Sequence, residues 1–168
     1  MLGSLIPSSR YLVRRALRQV DWERADLIVE YGPGLGTFTE EILKRMRPDG
    51  RLLVFETQSD FVRHLEEIQD PRLEVIHGSA EEVAAALEER GAGRADYVLS
   101  GIPFSLMPEA LRDSILEHTR SILDPEGAML VYQFSPTIRR PLERVFRQVE
   151  SEFEPRNVLP ATVYLCHP

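Results

Sequence analysis

The sequence predicts an α/β fold, a three-layer sandwich with helices on both faces of a largely parallel sheet. Three observations carry that expectation. Short apolar runs without strict alternation recur along the chain, as strands buried on both faces require. Helix-like segments separate them and supply right-handed parallel crossovers. The last two runs, "EFEPRNVL" and "ATVYLCHP", are parted only by a short break at Leu159-Pro160-Ala161, which favours an antiparallel end to the sheet.

The elements follow in order. A helical "SRYLVRRALRQV" precedes the strand "ADLIVEY", then come "GTFTEEILKRM" and "RLLVFE". Next are "SDFVRHLEEI", "LEVIHG", "SAEEVAAALEER", "ADYVLSG", "LMPEALRDSILEHTRSIL", "GAMLVYQF" and "IRRPLERVFRQV". The turn-like "RPDG" and "DPEG" stand between helix and strand. The reading is five βα units and two closing strands. No repeat or linker interrupts them, so residues 1–168 are expected to form one domain. Within it, 1–22 are a basic amphipathic helical segment and 23–168 the core.

At 168 residues with a net charge of −7, the chain suits one core and argues against general nucleic-acid binding. The charge is uneven. Arg10, Arg14, Arg15 and Arg18 stand near the start without an acid, and Arg139, Arg140, Arg144 and Arg147 form a second cluster. Two basic patches on an acidic body suggest a locally anionic partner. The one cysteine, Cys166, cannot pair internally, and neither a membrane span nor a signal-peptide order is found. A cytoplasmic protein is expected, without a metal site, since no His/Cys cluster has zinc spacing.

The chemistry gathers in "VEYGPGLGTFTEEIL". Glu30 ends the first strand, and Gly32, Gly34 and Gly36 follow where a ligand can press against the backbone. The second strand ends at Glu56, whose carboxylate can accept from both hydroxyls of a ribose. The spacing is not that of a dinucleotide fingerprint, no lysine makes a P-loop, and Glu30 would repel a pyrophosphate. An acid, a glycine loop and a second acid suit S-adenosylmethionine, which has an ammonium, a sulfonium and a ribose but no phosphate.

Through "VEYGPGLGTFT" and "LVFET" the chain resembles the class I S-adenosylmethionine-dependent methyltransferases. More narrowly it resembles the bacterial phospholipid N-methyltransferases, relatives of the ribosomal RNA adenine dimethylases, through "GSLIPSSRYLVRRAL", "VLSGIPFSLMP" and "NVLPATVYL". The resemblance implies a Rossmann-like, seven-stranded mixed sheet with the last strand antiparallel. It implies cofactor contacts at Glu30, Gly32, Gly34, Gly36, Glu56 and Gly78-Ser79-Ala80, with Thr57 and Ser100 beside them. Ser79 stands where many relatives have an aspartate facing the adenine. Tyr31, where a leucine is common, either packs over the cofactor or fills the core.

For the acceptor, Ser100-Gly101 replaces the Asn or Asp that holds a flipped adenine, and Phe104 either stacks on a base or is core. With Tyr11 as a candidate for lining the acceptor pocket, the catalytic candidates are Tyr11, Ser100 and Gly101. The helix from Ser8 to Val20 puts Leu12, Val13, Ala16, Leu17 and Val20 on one side and Arg10, Arg14 and Arg18 on another, a pattern for reversible contact with an anionic inner membrane surface or for an ordinary packed helix. The leading expectation is methylation of phosphatidylethanolamine or a related aminolipid. A small-molecule or ribosomal RNA adenine methyltransferase and a non-catalytic binding protein on the same scaffold are the alternatives.

Overall fold

The computed structural model describes residues 8–168. Seven strands form one sheet in the order β3-β2-β1-β4-β5-β7-β6. They are β1 (Leu27–Tyr31), β2 (Arg51–Glu56), β3 (Leu73–His77), β4 (Ala95–Ser100), β5 (Leu123–Gln133), β6 (Gln148–Glu154) and β7 (Ala161–His167). β1 to β5 pair in parallel, and β7 runs antiparallel to both β5 and β6. The reversed closing strand expected from the short break is therefore present. "EFEPRNVL" is a strand only to Glu154, because β6 begins upstream at Gln148.

Helices cover both faces. α1 (Arg10–Leu17), α2 (Thr37–Arg45) and α3 (Ser59–Glu66) pack on one side, where Leu12, Phe38, Ile42 and Leu65 meet Ile28, Val54, Leu99 and Leu130. On the other, α4 (Val83–Glu89), α5 (Glu109–Ile122) and α6 (Arg139–Val145) bring Leu87, Leu116 and Leu142 against Val29, Phe55, Val98 and Val131. Successive strand residues alternate between the two cores, the period-2 geometry of a sheet buried on both sides. All five residues of β1 are buried, Glu30 included. That placement of an acid governs the site.

Two local departures have physical causes. "DPEG" is no simple stop: Leu123 pairs with Ala95 and Ala128 with Tyr97, so Asp124 to Gly127 form a bulge inside β5. The bulge needs Gly127, where a Cβ would stand 2.5 Å from the Asp96 carbonyl. The second departure concerns α1. Its apolar side, Leu12, Val13, Ala16 and Leu17, is buried in the protein, so it is the packed helix of the two alternatives. Positions 1–7 of the N-terminal segment lie outside the described residues.

An ion-pair network holds α1 to the edge strand. Arg15 reaches Glu154 at 2.8 Å and Glu152 at 2.9 Å, and Arg18 also pairs with Glu152. Glu154 is fully buried and additionally accepts from the Arg156 side chain and backbone, both at 2.9 Å. Arg156 and Arg15 outweigh burial and hold its carboxyl down at about 2. Carboxylates at Glu150, Glu152 and Glu154 also keep this edge from pairing with another chain.

Because the folded value lies below the ordinary one, Glu154 stabilises the fold above about pH 4.5, and that contribution is lost as pH falls toward 2. Glu154→Gln is expected to cost about 2 kcal/mol in urea unfolding near neutral pH, with the difference shrinking in acid. An unchanged midpoint would contradict the role of this network.

Candidate active site

Strand order reverses between β1 and β4, and the crevice beyond their carboxyl ends is where open parallel sheets take ligands. Four chain turns meet there, after Tyr31, Glu56, His77 and Ser100. Gly32, Gly34 and Gly36 have φ of 64°, 56° and 78°, the left-handed region in which a side chain is strained. Gly32 also faces the β4 turn closely, since its Cβ would lie 3.3 Å from the Ile102 side chain. The loop delivers the chain into α2 at Gly36, with no side-chain cap on that helix end.

Glu30 and Glu56 project to the α1–α2–α3 face by strand alternation. The Thr39 hydroxyl, one turn into α2, donates to Glu30 at 2.7 Å. Among the described residues no Lys or Arg pairs with this carboxyl. Burial, against the Thr39 bond and with a small push from Glu56, raises it to about 8. A buried acid without a cation is costly to ionise, and a ligand ammonium would supply the missing charge. Glu56 is tied differently: it accepts from the N–H groups of Thr57 at 2.8 Å, Gln58 at 2.9 Å and Gly34 at 3.2 Å. It thereby clamps the glycine loop to the end of β2. The set fits S-adenosylmethionine: an acid awaiting a cation, a loop free of side chains, and a second carboxylate with lone pairs to spare.

The remaining candidates divide. Ala80 is buried, and Ser79 accepts from Glu81 N–H while Glu82 accepts from Ser79 N–H at 3.0 Å, a reciprocal cap on the turn after β3. Glu82 also lies against Gly78, whose Cβ would meet its carboxylate at 2.9 Å. Thr57 is exposed, and its carbonyl is bonded to His77. Gly101 sits in the crevice, its N–H on the Tyr31 carbonyl at 2.9 Å.

Three side chains lie away from it. Tyr31 fills the core: it is fully buried, edge-on to Phe55 at 5.9 Å, and its hydroxyl meets Thr119 at 3.0 Å. A cofactor can touch only its backbone. Ser100 is buried on the α4–α5–α6 face, and its hydroxyl accepts from Ile102 N–H at 3.4 Å within the β4 turn. Tyr11 stands beside the β6–β7 turn, its ring between the Arg10 and Arg156 guanidiniums at 4.9 and 4.4 Å. Phe104, fully buried, is core.

Sequence reading missed the residues that complete the crevice. Tyr132, next to last in β5, stacks on Phe38 of α2 at 4.9 Å and 18°. Its ring presses on Gly101, where a Cβ would come within 2.9 Å of the ring carbon bearing the hydroxyl and would collide with the hydroxyl itself. Gln133 donates to the Ile102 carbonyl at 2.7 Å and holds the β4 turn. The available signal was position: polar residues ending an apolar strand at the carboxyl edge.

Half of the second arginine cluster is spoken for. Arg139 pairs with Glu143 at 2.8 Å and Arg144 with Asp113 at 3.4 Å. A basin of about 720 Å³ at the opposite, amino edge is lined by Arg94, Arg120, Arg144 and Arg147. There Arg94 and Arg120 donate to the Leu123 and Val145 carbonyls, satisfying helix ends.

Glu30 keeps its proton to about pH 8 when folded but only to about 4.5 when unfolded. The ligand-free chain is therefore expected to lose stability as pH rises through that window, and Glu30→Gln to remove that part of the slope. Thermal unfolding of both proteins across this range checks it, parallel profiles being the contrary result.

Comparison with known proteins agrees with this geometry. The family model described as ribosomal RNA adenine dimethylase matches residues 2–87. The ornithine lipid N-methyltransferase of Singulisphaera acidiphila is 35% identical over 168 residues, 98% of this chain and 88% of that protein. Ribosomal RNA small subunit methyltransferase A of Leptothrix cholodnii is 29% identical over 122 residues, 73% of this chain and 43% of that protein. The solved structure of human methyltransferase-like protein 13 in complex with SAH shares the fold over 94% of this chain and 79% of that one, with a TM-score of 0.70 at 16% identity. The chain belongs to the class I S-adenosylmethionine-dependent methyltransferases, in the ribosomal RNA adenine dimethylase family, and S-adenosylmethionine is its cofactor.

Proposed function

We propose that the enzyme methylates the amine of an aminolipid, phosphatidylethanolamine or a related lipid, presented at a membrane surface. One observation carries the reading. Among the described residues, five of the six exposed large apolar side chains, Leu35, Leu106, Phe134, Val158 and Leu159, lie in segments that follow strands at the carboxyl edge, and the sixth, Phe153, is on β6. These segments follow β1, β4, β5 and β6, so an apolar rim runs along that edge from the crevice toward β6. Single exposed apolar residues are ordinary, but a group sharing one edge marks an apolar partner. Arg10 and Arg14, exposed on α1, add positive charge for an anionic leaflet. The likeness to an ornithine lipid N-methyltransferase along nearly the whole chain supports the same acceptor class. No described helix is long and apolar enough to cross a membrane, so the contact proposed is peripheral.

Within the crevice, Glu30 would take the cofactor's ammonium and Glu56 its ribose hydroxyls, with Gly32, Gly34 and Gly36 giving close backbone approach. Glu82, drawn over Gly78 by the Ser79 cap, would supply the carboxylate facing the adenine that position 79 lacks. The bound cofactor supplies an already activated methyl group. The chain's part is to align the acceptor amine, exclude water and favour its unprotonated form. No general base is assigned.

Adenine in RNA is the second reading, favoured by the family description. Against it stand the net charge of −7, the absence of an amide or acid at Ser100, and Phe104, which is buried and unable to stack on a flipped base.

Two outcomes are expected. Incubation with labelled methyl donor and aminolipid vesicles labels lipid, and Leu106→Asp with Leu159→Asp lowers vesicle sedimentation about tenfold while cofactor affinity stays unchanged. Label confined to RNA would reverse the order of the readings. Cofactor binding at about pH 7 releases close to one proton, seen by calorimetry in buffers of different ionisation enthalpy, because Glu30 must ionise to pair with the ammonium. Glu30→Gln abolishes the release and weakens binding at least about tenfold.

A further inference from the structure

If the crevice holds S-adenosylmethionine as proposed above, the ligand's amino-acid end raises a second demand. It is a zwitterion, and Glu30 answers only its ammonium. The carboxylate next to it needs donors, in a place where Glu30 and Glu56 both repel it. The N–H groups of the loop glycines and of Gly101 are already committed. Gly32 N–H is bonded to the Phe55 carbonyl at 2.9 Å, and Gly34 N–H to Glu56 at 3.2 Å. Gly36 N–H is bonded to the Pro33 carbonyl at 3.0 Å, and Gly101 N–H to the Tyr31 carbonyl at 2.9 Å. Among the described residues no Lys or Arg hydrogen-bonds to Glu30 or to the loop.

We propose that the Tyr132 hydroxyl is the donor that recognises the cofactor's carboxylate, opposite the ammonium taken by Glu30. Tyr132 shares a face with Glu30 by strand alternation, and its hydroxyl reaches over Gly101, the one residue type that leaves it space. The stack on Phe38 fixes the ring, so little freedom is lost when the bond forms. Burial and the nearby Glu30 carboxyl push the phenol above its ordinary range, so it remains a donor wherever the enzyme works. The arrangement gives Gly101 a function as well: it is small so that Tyr132 can reach the ligand.

The test compares S-adenosylmethionine with its decarboxylated analogue, which keeps the adenosine, sulfonium and amine but lacks the carboxylate. Calorimetry on the full chain is expected to show the wild type favouring S-adenosylmethionine by about tenfold, a charge-assisted hydrogen bond's worth. Tyr132→Phe keeps the stack on Phe38 and should erase that preference while leaving affinity for the analogue unchanged within about twofold. Equal weakening of both ligands would mean a structural role and overturn the proposal. So would a wild type that binds the two equally, a result that needs no variant to fold. Failure of the cofactor placement itself reads differently: there Glu30→Gln leaves affinity unaltered for both compounds.

Discussion

A carboxyl group buried without a cation, at the tip of the central strand, is the constraint on which the rest of this molecule depends. Glu30 is inside because β1 is covered on both faces, and no strand position at that depth lets a side chain escape to water. Thr39 satisfies one of its oxygens but cannot neutralise it. The folded chain therefore tolerates Glu30 most readily when protonated, and an arriving ammonium turns an unfavourable group into an ion pair. A function-neutral core would carry an aliphatic residue there. Stability is given up at the point where ligand is bound.

The two faces of the sheet divide the labour. On the α1–α2–α3 face, strand alternation aligns Glu30, Glu56 and Tyr132, while Thr39 and Phe38 of α2 reach down to meet them. The α4–α5–α6 face takes Tyr31, Ser100 and Phe104, and its polar atoms are bonded within the protein. Residues one position apart in sequence thus belong to different worlds. At Gly32 and Gly101 the β1 and β4 turns pack closely, and the missing side chain at Gly101 leaves the space that the Tyr132 hydroxyl takes.

Charge follows the same economy. Of the arginines that stand out in sequence as two basic patches, half are used inside the fold: Arg15 and Arg18 on the β6 acids, Arg139 and Arg144 on Glu143 and Asp113. Arg10 and Arg14 stay exposed, and the larger feature left over for a partner is apolar. It consists of loop tips that are far apart in sequence and share one edge only because β1, β4, β5 and β6 all point their carboxyl ends the same way.

By itself the sequence determined the order of strands and helices, the reversed strand after Pro160, and the acids and glycines at the strand tips. Those features are encoded locally, in apolar runs, turn residues and spacing, and survive in any account of the chain that ignores long-range contact. Only the tertiary structure decided which side of the sheet each tip residue serves. It sent Tyr31 and Ser100 into the far core, set Tyr11 between two guanidiniums at the β6–β7 turn, and brought Tyr132 across a neighbouring strand onto Gly101. It also spent the apolar side of α1 on the sheet, where periodicity alone allowed a bilayer. The physical reason is that a hydrophobic stripe or a polar strand end states a preference for burial or contact but not the identity of what it meets, and that identity is set when the strands take their order and the helices their faces.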